Sequence, residues 1–315
     1  MIFIHQDLRN VTVIIPTLNE RDSIPLVISE LSEAGVPKEN IIVVDGHSTD
    51  GTDKIAMDLG VKVIHQNGKG KADAVREGLR RAPTRYAVIM DGDYTYPAGV
   101  IPRLLWRVEE GCSEVLGARV RGRENIPPLN RVGNKIITWL FNLFFGTRLR
   151  DVLTGIYLVD LKELTDALHE TEGFSIEVEL ASHFAGNGLE VCEEEIEYRG
   201  RIGVKKLKAL DGFKITWDLV KTAWRYNPVA LLLLSASLLL IPGLILGAYV
   251  GYHYIFTGIT YHVKGLIAIG LTLTGFNSLL LGFLSLYLKR FELRVRKNLK
   301  NIELRLERLY DHDGK

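Results

Sequence analysis

The sequence is poor in cysteine and methionine, with 2 and 3 among 315 residues, and it has no internal repeat or low-complexity segment. Repeat solenoids and disulfide-stapled small scaffolds are excluded on that ground. Cys112 and Cys192 stand in apolar or acidic stretches without metal-ligand spacing, so they read as buried free thiols in a reducing compartment. An excess of one charge sign is missing too. The 39 Lys and Arg against 38 Asp and Glu leave a formal +1, which gives no field for nucleic acid or a strongly acidic partner. Residues 1–10 lack a basic start and an apolar run, so no secretory signal is expected and the polar part is placed in the cytoplasm.

What is present begins as alternation. A chain of this length accommodates one sizeable α/β domain and something smaller. A β-branched run over 11–15 ends at Pro16 and predicts a buried strand. A helix over 24–33 follows, with Asp22 and Ser23 as its expected cap. Strands over 41–44, 62–64 and 86–90 then alternate with helices over 52–59 and 72–81. Units of this size predict a mostly parallel sheet covered on both faces, which binds ligands at the carboxyl ends of its strands. Residues 131–145 carry more apolar surface than an exposed helix needs. Two readings stay open: a core helix, or an interfacial helix with Lys135 and Arg148 on its polar side.

The second half has a different composition. Residues 211–226 mix Trp217 and Trp224 with Lys214, Lys221 and Arg225, as at a membrane boundary. Residues 229–256 and 265–288 are then almost free of charge and long enough to span a hydrocarbon core, which takes about 20 helical residues. Pro242 and the repeated glycines suit spanning helices. The link over 257–264 leaves no room for a domain, so the spans form a hairpin with both flanks on one side. Lys205, Lys206, Lys208, Lys214, Lys221 and Arg225 precede it, and Lys289, Arg290, Arg294, Arg296 and Lys297 follow it. The positive-inside rule puts both flanks, and with them the C-terminus, in the cytoplasm. Residues 289–315 keep a heptad-like spacing at Val295, Leu299, Ile302, Leu306 and Leu309. This run is short for a coiled coil, so it reads as an amphipathic helix packed on its own domain or a neighbouring subunit. The domain scheme is 1–208 catalytic, 209–228 juxtamembrane, 229–288 spanning and 289–315 tail.

Chemistry concentrates at strand ends. Asp91-Gly92-Asp93 directly follows the strand over 86–90. Two carboxylates around a glycine can share Mg2+ or Mn2+ and leave room for a diphosphate. Asp45 closes the second strand and Glu20 follows the first, within Pro16-Thr17-Leu18-Asn19-Glu20. Four neighbouring carboxylates repel one another without a cation or donors nearby. A metal-bound nucleotide is the economical ligand.

At this point the chain resembles family 2 glycosyltransferases, and within them the dolichyl-phosphate mannose or glucose synthases. The resemblance rests on Ile15 to Glu20, Val44 to Thr52, Gly68-Lys69-Gly70-Lys71-Ala72, Met90 to Asp93, Gly117-Ala118-Arg119, Asp151 to Gly155 and Arg199-Gly200-Arg201-Ile202-Gly203 leading to Lys206. It implies a GT-A type, Rossmann-like catalytic domain followed by a two-helix transmembrane hairpin. By implication Pro16, Leu18, Glu20 and Asp45 hold base and ribose, while Asp91, Gly92 and Asp93 take the cation and the donor diphosphate. Arg119 and Arg131 receive the lipid phosphate, and Arg201 with Lys206 clamps phosphates. The implied partners are a nucleotide sugar, a polyprenyl or dolichyl phosphate and the bilayer, with no nucleic acid; self-association through the membrane or tail helices stays open. The implied reaction is inverting sugar transfer to the lipid phosphate. The chain departs from the family pattern at Tyr157, where an arginine is usual, at Lys205, and at Thr95. These departures favour UDP-glucose or UDP-N-acetylglucosamine over GDP-mannose. A processive polysaccharide synthase lacks support, since Gln-x-x-Arg-Trp and further spans are missing. A sugar nucleotidyltransferase would open with a Gly-rich loop where Pro16 to Glu20 stands. A non-catalytic scaffold that binds nucleotide sugar is the alternative from another class, and a transporter is disfavoured by two spans without buried charge.

Overall fold

The computed structural model describes residues 7–164, 176–203 and 211–313. The chain divides into two compact units, Met1–Thr222 and Ala223–Lys315.

The first unit is built on a seven-stranded sheet in the order β3-β2-β1-β4-β6-β5-β7. Its strands are β1 (Val11–Thr17), β2 (Ile41–Asp45), β3 (Lys62–His65), β4 (Tyr86–Met90), β5 (Glu114–Arg121), β6 (Ile156–Asp160) and β7 (Val191–Glu197). Helices α1 (Ile24–Glu33), α2 (Thr52–Asp58), α3 (Lys71–Arg81), α4 (Ile101–Glu109), α5 (Pro128–Phe145) and α6 (Ile176–Gly186) accompany it. β1 to β4 are mutually parallel, and β6 runs antiparallel to both β4 and β5. The central strands β1, β2 and β4 are apolar runs because both of their faces are covered. Val13, Ile15, Ile41, Val43, Val88 and Met90 meet Ile24, Val27 and Leu31 of α1 and Leu104 and Leu105 of α4 in one core.

Three expectations change. Ser23 precedes α1 but makes no side-chain cap; its hydroxyl goes instead to the carbonyls of Glu20 and Gly92, at 3.2 and 2.7 Å. Cys112 and Cys192 are not free thiols. They form a disulfide with their Cα atoms 6.0 Å apart. Chain folding places the start of the edge strand β7 beside the α4–β5 turn across 80 residues, a proximity that spacing cannot reveal. The thiol-based case for a reducing compartment falls with it. The helix over 131–145 satisfies neither reading alone. In α5, Ile137, Phe141 and Phe144 are buried, while Leu129, Val132, Ile136, Trp139 and Leu143 form an exposed apolar stripe.

α7 (Asp211–Tyr226) precedes α8 (Pro228–Thr257) and α9 (His262–Asp313). α8 and the His262–Glu292 part of α9 are each long and apolar enough to cross a membrane. The second predicted span and the tail helix are one unbroken helix, since no glycine or proline interrupts the sequence after Gly282 until Gly314. Pro242 lies inside α8. Gly243 and Gly275 supply the close approach between the two helices: a Cβ at either would fall within 2.7 Å of the partner helix.

Candidate active site

The polar edge forms where β1, β2 and β4 end, as β-sheet topology of this kind dictates. Two loops lace its β1–β2 end together. The Asn19 amide N–H donates to Ser48 Oγ at 2.9 Å, the Thr49 N–H to Asn19 Oδ1 at 2.8 Å, and the Glu20 N–H to Thr52 Oγ1 at 2.9 Å. Asn19 takes a φ of 52°, a left-handed turn that asparagine tolerates. Pro16 is half-buried and Leu18 is 42% exposed at this rim. Asp45 is buried and accepts from the Ser48 N–H at 2.9 Å and the Ser48 hydroxyl at 2.5 Å.

Asp91 and Asp93 sit past β4. Gly92 between them lets the loop lie on β1, since a Cβ there would come within 3.0 Å of the Thr17 methyl. Asp93 is 5% exposed and accepts from the Thr95 N–H and hydroxyl, at 3.2 and 2.5 Å. Burial, and then the neighbouring Asp91 carboxylate, push the Asp93 carboxyl above its ordinary range. Arg201 answers it: its guanidinium is 3.4 Å from Asp93 and 3.0 Å from Glu20. The 199–202 segment is tied over the acidic loop by the Arg199 N–H to the Thr95 carbonyl at 2.9 Å and the Ile202 N–H to the Asp93 carbonyl at 3.3 Å.

Asp91 has its own cation. The Lys71 ammonium, from the first turn of α3, lies 2.7 Å from Asp91 and also pairs with Glu177 of α6. Burial opposes this charge, yet Asp91 and Glu177 together hold the Lys71 pKa well above the ordinary lysine value. Tyr157, standing where the resemblance expects arginine, is fully buried beneath them and leaves the cationic role to Lys71. Gly155 fits against Asp91 so closely that a Cβ would fall 2.0 Å from Oδ2. The Asp91 N–H donates to the Gly155 carbonyl at 3.0 Å, and the Gly155 N–H donates to the buried Tyr96 hydroxyl at 2.7 Å.

Arg119, on β5, is 7% exposed and grips Asp151 with two donors, at 2.5 and 2.7 Å, and the Leu153 carbonyl at 2.7 Å. Its guanidinium also lies 5.4 Å from the Tyr198 ring centre. Arg131, near the start of α5, is half-buried, and its Nε has no partner among the described residues. Asn134, one turn further along α5, places a side-chain amide atom 3.0 Å from Arg119 Nη2, where the amide oxygen would accept. Lys206 lies outside the described residues. Thus Glu20, Asp93 and Arg201 meet directly, Asp91 is bound to Lys71, and Arg119 is held on the far side of Gly155. Sequence reasoning gave no role to Lys71, Glu177, Tyr96, Gly155 or Asp151. Lys71, Gly155 and Asp151 stood inside the motifs, whereas Tyr96 and Glu177 had no local signal.

A divalent cation fits this donor set. The groups are hard carboxylate oxygens. Glu20, Asp91, Asp93 and Glu177 bring four carboxyl groups to this edge, with Lys71 and Arg201 paired among them. A separate cleft of about 550 Å3, lined by Arg103, Arg107, Glu194 and Glu195 among others, shares no residue with the acidic edge.

Residues 12–159 match the family model of glycosyl transferase family 2. The glycosyltransferase AglJ of Haloferax volcanii is 31% identical over 301 residues, covering 93% of this chain and 98% of that protein. A dolichyl-phosphate hexose transferase of Haloferax volcanii is 33% identical over 205 residues, or 64% of this chain and 89% of the relative. A polyprenol monophosphomannose synthase of Mycolicibacterium smegmatis is 30% identical over 216 residues, covering 62% and 80%. Among solved structures, glucosyl-3-phosphoglycerate synthase of Mycobacterium tuberculosis with Mn2+, UDP-glucose and phosphoglyceric acid superposes with a TM-score of 0.55 at 21% identity. That match covers 69% of this chain and 79% of the other, and it speaks to the fold.

Proposed function

Because the chain belongs to glycosyl transferase family 2, we propose that it transfers a sugar from a nucleotide diphosphate to a polyprenyl or dolichyl phosphate at the cytoplasmic face of a membrane. The observation that carries this reading is the order of groups along one sheet edge. Nucleotide-holding loops at β1 and β2 come first, then the acidic pair at β4, then buried arginine at β5. Two relatives whose names specify lipid-phosphate acceptors support the acceptor class.

A phosphate monoester is already anionic near neutral pH, so the site needs no base to make the nucleophile. It must instead hold two anionic reactants in line. Pro16, Leu18, Glu20 and Asp45 hold the nucleoside. Asp91 and Asp93 would hold a divalent ion, Mg2+ or Mn2+, which would supply positive charge to offset that developing on the leaving diphosphate. Arg119 and Arg131 orient the lipid phosphate through N–H donors. For Arg119 this means sharing a guanidinium that Asp151 already aligns; Arg131 offers an Nε without a partner among the described residues. Arg201 moves from carboxylate to phosphate when the donor arrives, and Lys206 adds a second phosphate-binding cation. Direct attack at the anomeric carbon inverts it, so an α-linked donor gives a β-linked lipid product. UDP-glucose or UDP-N-acetylglucosamine is the favoured donor.

α8 and the apolar part of α9 anchor the enzyme as a hairpin, and basic flanks set its orientation. The exposed stripe of α5, with Trp139 at its centre and Lys135 and Arg148 nearby, meets the headgroup region. The test is label transfer by purified protein in detergent, with dolichyl phosphate, Mg2+ or Mn2+, and labelled UDP-glucose, UDP-N-acetylglucosamine and GDP-mannose in parallel. Label entering the lipid phase from one donor is the expected result. Nucleotide-sugar binding without transfer from any of the three would instead support the non-catalytic scaffold.

A further inference from the structure

Past the end of β7, Tyr198 to Gly203 run without regular secondary structure, and successive side chains reach different parts of the molecule. Tyr198 meets Tyr96 edge-on, ring centres 5.4 Å apart, and has the Arg119 guanidinium over its ring. Arg201 reaches Glu20 and Asp93. Arg199, between them, turns to α1 instead. Its guanidinium meets Glu30 as a fork, Nη1 to Oε2 at 2.8 Å and Nη2 to Oε1 at 2.9 Å. The same guanidinium lies 4.8 Å from the centre of the Tyr94 ring.

The pair joins three pieces of chain. Glu30 Oε1 also accepts the Ala98 N–H at 3.2 Å, at the far end of the loop that opens with Asp91. Arg199 donates its own backbone N–H to the Thr95 carbonyl of that loop at 2.9 Å. Tyr94, in the same loop, holds a φ of 65°, which is strained for a bulky aromatic residue. An exposed ion pair contributes little. This one is a two-pronged arginine–carboxylate contact with side chains only 33% and 20% exposed, the geometry in which such pairs are strongest. Arg201 stands two residues further on, within about 7 Å along the chain. With Arg199 fixed, its passage from carboxylate to phosphate is a side-chain movement about a held backbone. Without the pair, the backbone of the segment must be ordered in the same step, which costs conformational entropy.

We propose that Glu30 and Arg199 form a latch that positions Arg201 over the donor diphosphate, acting through the 199–202 segment and touching no substrate themselves. This rests on the reading of the acidic edge as a nucleotide-diphosphate site and adds two positioning residues to it. The latch implies coupling between distant side chains. Glu30, on α1, influences diphosphate affinity only while Arg201 is present to be positioned. A pair that served only to hold α1 against the 94–98 loop would act equally with or without Arg201.

The test is a double-mutant cycle read by binding, so it does not depend on turnover. Full-length protein in detergent with Mg2+ is titrated calorimetrically with UDP and with GDP, as the unaltered protein, Glu30→Gln, Arg201→Ala and the double variant. Glu30→Gln keeps the size of the side chain and an acceptor for the Ala98 N–H, and removes the charge that holds Arg199. With the nucleotide that binds, it is expected to weaken affinity about tenfold. In the Arg201→Ala background the same change is expected to matter by no more than about twofold. Arg199→Lys keeps the charge without the fork, and is expected to weaken affinity in the same direction. It is carried through the same cycle, and decides the outcome should Glu30→Gln melt more than about 4 °C below the unaltered protein. Unchanged or tighter binding in the deciding variant, or a loss that persists in the Arg201→Ala background, would overturn the latch. Failure of both UDP and GDP to bind would overturn the donor reading itself, and the latch with it; it is distinguishable because the unaltered protein would then give no heat with either.

Discussion

Replacing Gly155 by alanine adds one methyl group at the place where the structure has least room for it. The added Cβ would fall 2.0 Å from Asp91 Oδ2, 2.6 Å from its Cγ and 2.8 Å from Tyr96 Cε2. Ordinary contact needs about 3.5 Å, so the carboxylate must shift by on the order of 1 Å. Its escape is restricted. Lys71 holds Asp91 from one side at 2.7 Å, and the Asp91 N–H is bonded to the Gly155 carbonyl itself. A displacement of about 1 Å at a positioning group can cost roughly 100-fold in rate, and overpacking of this kind costs about 1–3 kcal/mol in stability. Gly78→Ala separates the two effects. Its Cβ would meet the Ile14 methyl at 2.3 Å inside the α3–β1 packing, away from the acidic edge, and alanine's helix preference offsets about 1 kcal/mol of the strain. Lipid-phase label transfer gives kcat/KM, and thermal unfolding in detergent gives stability. The expectation is a roughly 100-fold loss for Gly155→Ala and near-normal kcat/KM for Gly78→Ala. Transfer by Gly155→Ala within threefold of the unaltered protein would refute the view that Asp91's placement is critical, as would an equal loss in Gly78→Ala.

Three further outcomes are expected. Glu114 is fully buried with neither carboxylate oxygen hydrogen-bonded among the described residues, and burial raises its pKa well above the ordinary value. Its neutral form is therefore the stable one: the folded state is unpenalised below about pH 4.5 and loses stability as pH rises towards the folded pKa. Glu114→Gln should thus unfold at a higher temperature than the parent at pH 8 and at a similar temperature at pH 4.5. Reducing Cys112–Cys192 opens a loop with a sequence separation of 80, a loss of about 4–5 kcal/mol on loop-entropy grounds; a thiol reductant should lower the melting temperature of the catalytic unit, and Cys112→Ser should melt at the reduced value. Arg119→Lys removes the two-pronged grip on Asp151, so transfer should drop about 100-fold or more while donor binding is kept.

The strand ends were legible because apolar β-branched runs stop abruptly at Pro16, Asp45 and Asp91, and four of the predicted strands were recovered to within two residues. The two C-terminal apolar helices were legible for the same kind of reason, as uninterrupted apolar runs long enough to cross a membrane. The part of the sheet formed by β5, β6 and β7 was not, because an antiparallel insertion changes strand order without leaving a local mark in Ile156–Asp160. The disulfide was misread because pairing depends on where the β7 edge returns. In the site, the sequence patterns marked residues that bear charge at motif positions and passed over the groups that pack and pair with them. Glu177 reaches Lys71 across 106 positions, and Tyr96 reaches Gly155 across 59. Such partners are set by helix and loop packing, which no short pattern records. Arg119 was read as a receiver of the lipid phosphate, and its bonds to Asp151 and the Leu153 carbonyl had no signal in that reading.

The most direct test of the central claim compares acceptors. Purified protein receives a donor labelled in the sugar, Mg2+ or Mn2+, and either dolichyl phosphate or dolichol, with Asp93→Ala in parallel. The account predicts lipid-phase label only with the phosphate monoester, release of one nucleoside diphosphate per sugar transferred, and no transfer by Asp93→Ala. Label transferred equally to dolichol, or full activity in Asp93→Ala, would contradict it.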